Sequence, residues 1–541
     1  MVEITDSIAV HYHRETKYSP ERLANSQHQL DWEHKPLLHK VYHQARKTDL
    51  TAYIPFVEGT IAQALETFPL EPLGGPPWRL EHVSRLLYFT NGVTRVVPHP
   101  GSPEPLSMRA APSAGALYPT EIYLVCSELE DLEPGAYNFQ VKDHSLITVW
   151  DGDFREQLAR ACLGAGELVR RAPATLVLTG LLDRSAWRYA ERAYRRVLLD
   201  TGHVLGNAVV YASRVGLRAI PLGGFVDEAV AETIMVDIDD EVPLVVLPLL
   251  PAAEAIEPPA HAQALRSACN AVPIDATDDG IMRALHAASR IDGAHRWGEG
   301  PFLADEGCGM PAPAGDEPRE QALEERCRHT EGVALVRPEP LLLTPTSETA
   351  ILTRRSTRAF SGDPVERDQL ARVLAAAYEP NPPPGLAPDR AIDPPRDFID
   401  RTLIETWVIA NAVRGIEPGA YYLAPRSGEL RRVRSGNLRE ACHHFCLGQE
   451  LGRDAAFVVV HTADLWRALT LYGDRAYRYV HLDAGHLGER LDLAALQIGL
   501  GASGIGGFFD DEVNELLGLP ERCAVVYVTT IGKPVQKGMW V

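Results

Sequence analysis

Arg192-Ala-Tyr-Arg-Arg-Val-Leu-Leu-Asp-Thr-Gly-His203 returns later in the same chain as Arg475-Ala-Tyr-Arg-Tyr-Val-His-Leu-Asp-Ala-Gly-His486. Two further pairs extend the match: Glu133-Pro-Gly-Ala-Tyr137 with Glu417-Pro-Gly-Ala-Tyr421, and Gly223-Gly-Phe225 with Gly506-Gly-Phe508. The offsets are nearly constant, since 417 minus 133 is 284 and 486 minus 203 is 283, and one deletion between Cys446 and Ala456 accounts for the change. A repeat of this length sets the architecture before any local signal does. The chain therefore reads as two fused copies of one domain, at 61–252 and 346–541, with an N-terminal extension at 1–60 and a connector at 253–345.

In each copy the repeated stretch runs along an amphipathic helix. Val197, Val204, Leu205, Ala208, Ala212 and Val215 fall near one face in the first copy, and Leu482, Leu487, Leu491, Ala494 and Ile498 do so in the second, which is the spacing of a core helix. Glu121 to Cys126, Thr175 to Thr179 and Leu244 to Leu247 are strand candidates, rich in β-branched residues or bounded by turn formers. Each copy is thus α+β. Within the connector, Asp278 to Ala294 has a helical spacing, whereas Gly307-Cys-Gly309 and Pro311-Ala-Pro-Ala-Gly315 read as loop. The cluster Pro380 to Pro395 reads as a surface loop or a lid.

With 45% hydrophobic and 23% charged residues among 541, the composition is that of a globular protein with room for two full cores. A formal net charge of -20 argues against nucleic acid and against an anionic membrane surface, which need basic patches, and leaves small molecules and proteins as partners. The apolar run Pro243-Leu-Val-Val-Leu-Pro-Leu-Leu250 is too short to span a bilayer. Glu3 and Asp6 do not suit a signal peptide, and eight scattered cysteines make no disulfide framework, so a cytoplasmic location is expected. No metal is expected either. His11, His13, His28, His34, His39 and His43 match no ligand spacing, and Cys442, His443 and His444 of Cys442-His-His-Phe-Cys446 become Leu158, Ala159 and Arg160 in the first copy.

The copies differ where chemistry is expected. The first carries Arg109-Ala-Ala-Pro-Ser-Ala-Gly-Ala-Leu-Tyr-Pro-Thr-Glu121, a loop of small residues whose backbone a flat ligand can approach closely. Adding 284 turns Arg109, Pro112, Ser113 and Gly115 into Asp393, Arg396, Asp397 and Ile399, so the second copy has no such loop. The second copy instead opens with Arg354-Arg-Ser-Thr-Arg-Ala-Phe360, whose guanidinium groups and hydroxyls suit a phosphate dianion. The first-copy region Glu66 to Gly75 contains no arginine, and Lys533 near the end of the chain corresponds to Leu250.

The loop, the Arg354 motif and the opening His11-Tyr-His-Arg-Glu-Thr-Lys-Tyr18 together resemble the SagB/ThcOx-type dehydrogenases, a branch of the FMN-dependent nitroreductase superfamily. The resemblance implies nitroreductase-like domains that pair through long helices, here as an intrachain pseudo-dimer, with flavin bound in trans at the interface. Arg354, Arg355, Ser356, Arg358 and Lys533 would then hold the phosphate, Pro112, Ser113, Ala114, Gly115 and Leu117 the ring, and Gly506 and Gly507 would lie near flavin N5. Each copy supplies what the other lacks, so one FMN per chain is expected. Tyr472, Arg475 and Tyr477 are expected to face the flavin, and His203 and His486 to be structural. Azoline-oxidising relatives carry a Lys-Tyr pair where this chain has Leu471-Tyr472 and, in the first copy, Arg188-Tyr189.

The activity implied is hydride transfer through flavin N5, with a modified peptide or another small molecule as substrate. A nicotinamide-driven reductase of nitro compounds or quinones, and a flavin-free scaffold for peptide-modifying enzymes, are the alternatives. No Gly-x-Gly-x-x-Gly loop follows a strand, so no resident nicotinamide domain is indicated.

Overall fold

The computed structural model describes residues 7–26, 28–43, 45–54, 78–98, 105–251, 280–291, 330, 332–335, 346–378, 403–424 and 427–535. The region 66–75, the segment 393–399 and the cluster Pro380 to Pro395 lie outside them. Each copy builds one antiparallel seven-stranded sheet. The first uses β1 (Lys47–Asp49), β2 (Thr120–Cys126), β3 (Gly135–Gln140), β4 (Ser145–Asp151), β5 (Ala174–Leu181), β6 (Leu217–Ala219) and β7 (Glu241–Pro251), in the order β1-β4-β3-β2-β5-β7-β6. The second uses β8 (Gly332–Ala334), β9 (Ile404–Ala410), β10 (Gly419–Ala424), β11 (Glu429–Ser435), β12 (Phe457–Asp464), β13 (Gly501–Ile505) and β14 (Cys523–Gly532), in the order β8-β11-β10-β9-β12-β14-β13. The two orders superimpose strand for strand, which is the duplication seen in space. The central strands β2, β5 and β12 are buried almost throughout, so their near-continuous apolar runs reflect cover on both faces.

The helices that matter for the site are α1 (Ile8–Glu15), α2 (Leu182–Tyr189), α3 (Ala193–Arg214), α4 (Asp227–Ile234), α5 (Ile281–Ala288), α6 (Thr346–Thr353), α7 (Leu465–Tyr472), α8 (Ala476–Gln497) and α9 (Asp510–Leu517). The long pair α3 and α8 is buried on nearly every face because each packs on its own sheet and on the other. They cross at Gly202 and Gly485. A Cβ at Gly202 would overlap the Leu482 carbonyl, and one at Gly485 would overlap the Leu199 carbonyl. Two mid-helix glycines cost about 2 kcal/mol relative to alanine, and the close backbone crossing is what they permit.

Two buried ion-pair sets lock the copies together. Arg192 and Arg195 of α3 reach Asp510 at the start of α9 at 3.0 and 2.7 Å. Their counterparts Arg475 and Arg478 reach Asp227 at the start of α4 at 2.6 and 2.5 Å. Burial pushes both aspartates up, yet the paired guanidinium groups outweigh it and hold them below the usual carboxylate range.

The connector holds an unexpected part of the repeat. Its helix α5 is the counterpart of α1: Asp474 accepts from Ala9 N at 3.0 Å, and Glu191, which is 474 minus 283, accepts from Met282 N at 2.6 Å. Likewise Thr16 Oγ1 accepts from Arg195 and Ser289 Oγ from Arg478. Each repeat therefore has a short helix docked where the other repeat's long helix begins. The spacing between these helices differs from that of the main repeat, 281 minus 8 being 273, which hid the match from the sequence. Among the described residues no helix is long and apolar enough to cross a membrane.

Candidate functional site

The small-residue loop leaves the short strand Leu106–Arg109 and enters β2. Gly115, Ala116 and Tyr118 have φ of 64, 53 and 49°, a left-handed cluster that costs the two L-residues about 1 kcal/mol or more each. Asp200 of α3 holds it. Its carboxylate accepts from Ser113 Oγ at 2.5 Å and from Ala114 N at 3.1 Å, and Ser113 Oγ accepts from Tyr118 N at 2.8 Å. Burial pushes Asp200 up to about 6 against these hydrogen bonds. The Ser113 hydroxyl and the Ala114 N–H thus shape the loop from within, which differs from the expectation that they reach a ligand. Gly115 is the exposed residue, Pro112 is half-buried, and Leu117 is part of the core.

The Arg354 motif comes from the second copy and meets this loop. Arg354, which follows α6, is buried and donates from Nε to Ala110 O at 2.7 Å and from Nη2 to Arg109 O at 3.3 Å. Its Nη1 has no hydrogen-bond partner among the described residues, nor does Arg355 Nε. Burial, and then Arg354, lower Arg355 to about 10. The rest of the motif lies along β13 and the end of β14, with Thr357 N donating to Ala502 O at 2.8 Å and Ser361 N to Lys533 O at 2.9 Å. Arg355 and Ser356 are half-buried, while Arg358 and Lys533 are exposed.

Gly506 and Gly507 bound the third side. A Cβ at Gly506 would overlap the Arg196 guanidinium, and one at Gly507 would meet Leu447 at 2.9 Å and Tyr18 at 3.7 Å. Arg196 in turn lies 5.0 Å from the centre of the Tyr189 ring, and a Cβ at Gly115 would meet the Tyr189 hydroxyl at 2.9 Å and Arg188 Cδ at 3.0 Å. Gly115, Tyr189, Arg196 and Gly506 therefore form one continuous chain of contacts from the loop to the end of β13. Burial raises the Tyr189 phenol, against the lowering pull of Arg196 and Arg188.

This corrects the placement of the expected catalytic residues. Arg475 is bound to Gly223 O, Asp227 and Ser289 O, and Tyr472 packs edge-on against Tyr479; both lie on the opposite pseudo-symmetric side. Tyr477 is buried among Tyr12, His13 and His481. At the loop stand the first-copy counterparts, Tyr189 and its neighbours Arg188 and Arg196. The repeat carried the signal: α2 and α3 belong to the copy that supplies the loop, and subtracting 283 from Leu471, Tyr472 and Tyr479 gives Arg188, Tyr189 and Arg196. His203 is buried, as a structural residue is, but it belongs to a polar cluster with Glu489 and Tyr527.

The arginines present fit an anionic group. Guanidinium N–H groups of Arg354 and Arg355 stand without partners among the described residues, and the room beside Gly115 and Gly506 is taken by Tyr189 and Arg196. A pseudo-twofold pair of α+β domains joined through two crossed long helices is the architecture of the nitroreductase class. The chain belongs to the nitroreductase family, whose model matches residues 77–249 and 351–533, one span per repeat. FMN is the cofactor typical of that family.

Among similar proteins, one from Anabaena variabilis, named as a nitroreductase, has a crystal structure that aligns over 98% of this chain and 99% of its own, at 37% identity and a TM-score of 0.80. The whole tandem architecture is thus shared. MJ1384 of Methanocaldococcus jannaschii, also named as a nitroreductase, is 29% identical over 174 residues, 32% of this chain and 85% of its own. The microcin B17-processing protein McbC of Escherichia coli is 30% identical over 150 residues, 27% of this chain and 55% of its own.

Proposed function

We propose that this chain is an FMN-dependent oxidoreductase with one flavin site, formed between its two repeats. The observation that carries the reading is Arg354 of the second repeat hydrogen-bonded to the carbonyls at the foot of the first repeat's loop. Arg354, Arg355, Ser356, Arg358 and Lys533 would hold the phosphate through charge-assisted hydrogen bonds, and the loop at Pro112, Ser113, Ala114, Gly115 and Leu117 would border the ring. When bound, FMN supplies two-electron chemistry by accepting or giving hydride. Gly506 and Gly507 would allow backbone approach to the ring, and Arg196, packed on Gly506, would supply positive charge beside it.

Besides Asp200, whose carboxylate is committed to Ser113 and Ala114, Tyr189 is a side chain at the loop that can hold or relay a proton. Its neighbour Arg188 cannot act as a base, because a guanidinium does not lose its proton in proteins. Substrate dehydrogenation removes hydride and a proton, and Tyr189, which burial keeps as the neutral phenol, would serve only as a relay, donating its own proton onward to solvent as it takes up the substrate's. Similarity to McbC and to the trifolitoxin-processing protein TfxB of Rhizobium leguminosarum bv. trifolii supports a modified peptide as the substrate class.

Purified protein tests this directly. It should be yellow, with a flavin-to-chain ratio near one; a ratio near two refutes the single site, and a colourless chain that takes up no FMN refutes the enzyme. Arg354→Ala and Ser113→Trp should abolish flavin retention, whereas Arg79→Ala, at an exposed pair with Glu130, should not. Equal loss in all three counts against a site in trans.

A further inference from the structure

Against Arg354 lies a buried cluster that the proposed chemistry does not use. Glu489 of α8 has Oε1 3.9 Å from Arg354 Nε and Oε2 2.8 Å from His203 Nδ1 of α3. His203 Nε2 lies 2.8 Å from the Tyr527 hydroxyl of β14. Asp492, one turn further along α8, completes the group, its ligand atom and those of His203 and Glu489 lying within 4.8 Å of one another. Glu489 and Asp492 are almost wholly buried, and Glu489 Oε1 and Asp492 Oδ1 accept no hydrogen bond among the described residues. The groups that face Glu489 are thus His203 and Asn207 from α3, Asp492 from α8, Tyr527 from β14 and Arg354. The guanidinium at 3.9 Å sets this cluster against a metal cation.

The repeat again acts as a control. Subtracting 283 from Glu489, Asp492 and Tyr527 gives Gly206, Val209 and Leu244, and only His203 has a like counterpart, in His486. The acidic cluster therefore stands only on the side that carries Arg354.

A carboxylate and a phosphate cannot both take the full charge of one guanidinium in a dry setting. Resting on the flavin reading above, we propose that Glu489 is a positioning residue for Arg354 that makes capture of the phosphate proton-linked. With Glu489 protonated, Arg354 offers its charge to the anion through the open Nη1; with Glu489 ionised, the carboxylate competes for it. Burial raises Glu489 to about 8, against the lowering effect of Arg354. A bound phosphate offsets that lowering effect, so the complex binds the proton more tightly than the free protein. Affinity is therefore highest at low pH and falls as first Asp492, which burial raises to about 7, and then Glu489 lose their protons, Glu489 alone remaining to titrate above pH 7.5.

FMN and riboflavin, titrated onto the full-length apoprotein by flavin fluorescence quenching, test this at pH 7.5 and above, where the FMN phosphate remains a dianion. The wild-type Kd for FMN should rise roughly tenfold by about pH 9.5, that for riboflavin should stay flat, and Glu489→Gln should keep its low-pH affinity for FMN throughout. Parallel FMN and riboflavin profiles in the wild type, or an unchanged slope in Glu489→Gln, overturn the proposal. If that variant does not fold, the two wild-type profiles decide alone. Failure of FMN to bind at pH 7.5 overturns the flavin reading itself, and this proposal with it.

Discussion

At the scale of single residues, the site turns on groups that only their three-dimensional neighbours explain. Tyr189 follows an arginine where Tyr472 follows a leucine, and that difference alone does not say which of the two stands at the loop. The Tyr189 hydroxyl gains meaning from Gly115, whose missing side chain leaves the contact open. If Tyr189 moves the substrate proton, Tyr189→Phe should lower kcat by roughly 10²- to 10⁴-fold while flavin content, read from the absorbance ratio, stays at the wild-type value. Undiminished turnover would remove Tyr189 from the chemistry. Tyr472→Phe, on the opposite side, should leave turnover within about twofold of wild type. The meeting of the Arg354 motif with the small-residue loop was legible in the sequence because small residues and clustered arginines are local patterns. Arg188, Tyr189 and Arg196 were not, because an arginine on a helix reads as a solvated residue until the other copy's glycine is known to lie against it.

At the scale of elements, the fold was legible wherever two copies could be compared. Strand Thr120–Cys126 was expected within one residue, whereas Glu241–Pro251 extends well beyond the expected Leu244 to Leu247. Pro243 lies beside the register shift with β5, and the last strand residue, Pro251, pairs with the short edge strand β6, so these prolines shape the strand without ending it. The crossing of α3 and α8 yields a prediction that runs against helix propensity. Gly202→Ala should gain about 1 kcal/mol from propensity alone, yet its Cβ would overlap the Leu482 carbonyl, and overpacking costs about 1–3 kcal/mol. The thermal midpoint should fall. A raised midpoint, read by circular dichroism, would mean that the helices do not meet there. The exchange of α1 and α5 escaped the sequence because short helices carry weak periodicity and the spacing between them differs from that of the main repeat.

At the scale of the whole molecule, fusion turns an interface between subunits into an interior. The pairs on Asp510 and Asp227 and the exchanged helices bind each half to the other. Unfolding should then be one transition whose midpoint does not move when protein concentration is varied a hundredfold. A midpoint that climbs with concentration would place part of the stability in contacts between chains. Fusion also changes what the axis can hold. A dimer of identical chains writes every residue beside its axis twice, so a glutamate there would face a second glutamate related by symmetry. In this chain a Cβ at Gly206 would come within 2.8 Å of Glu489 Cβ, and the carboxylate occupies room that only the glycine leaves. Such a juxtaposition is open to a covalently joined pair and closed to a symmetric one. The linker thus confers a freedom of composition: two halves under one mutational record can specialise, one to carry charge and the other to make room for it.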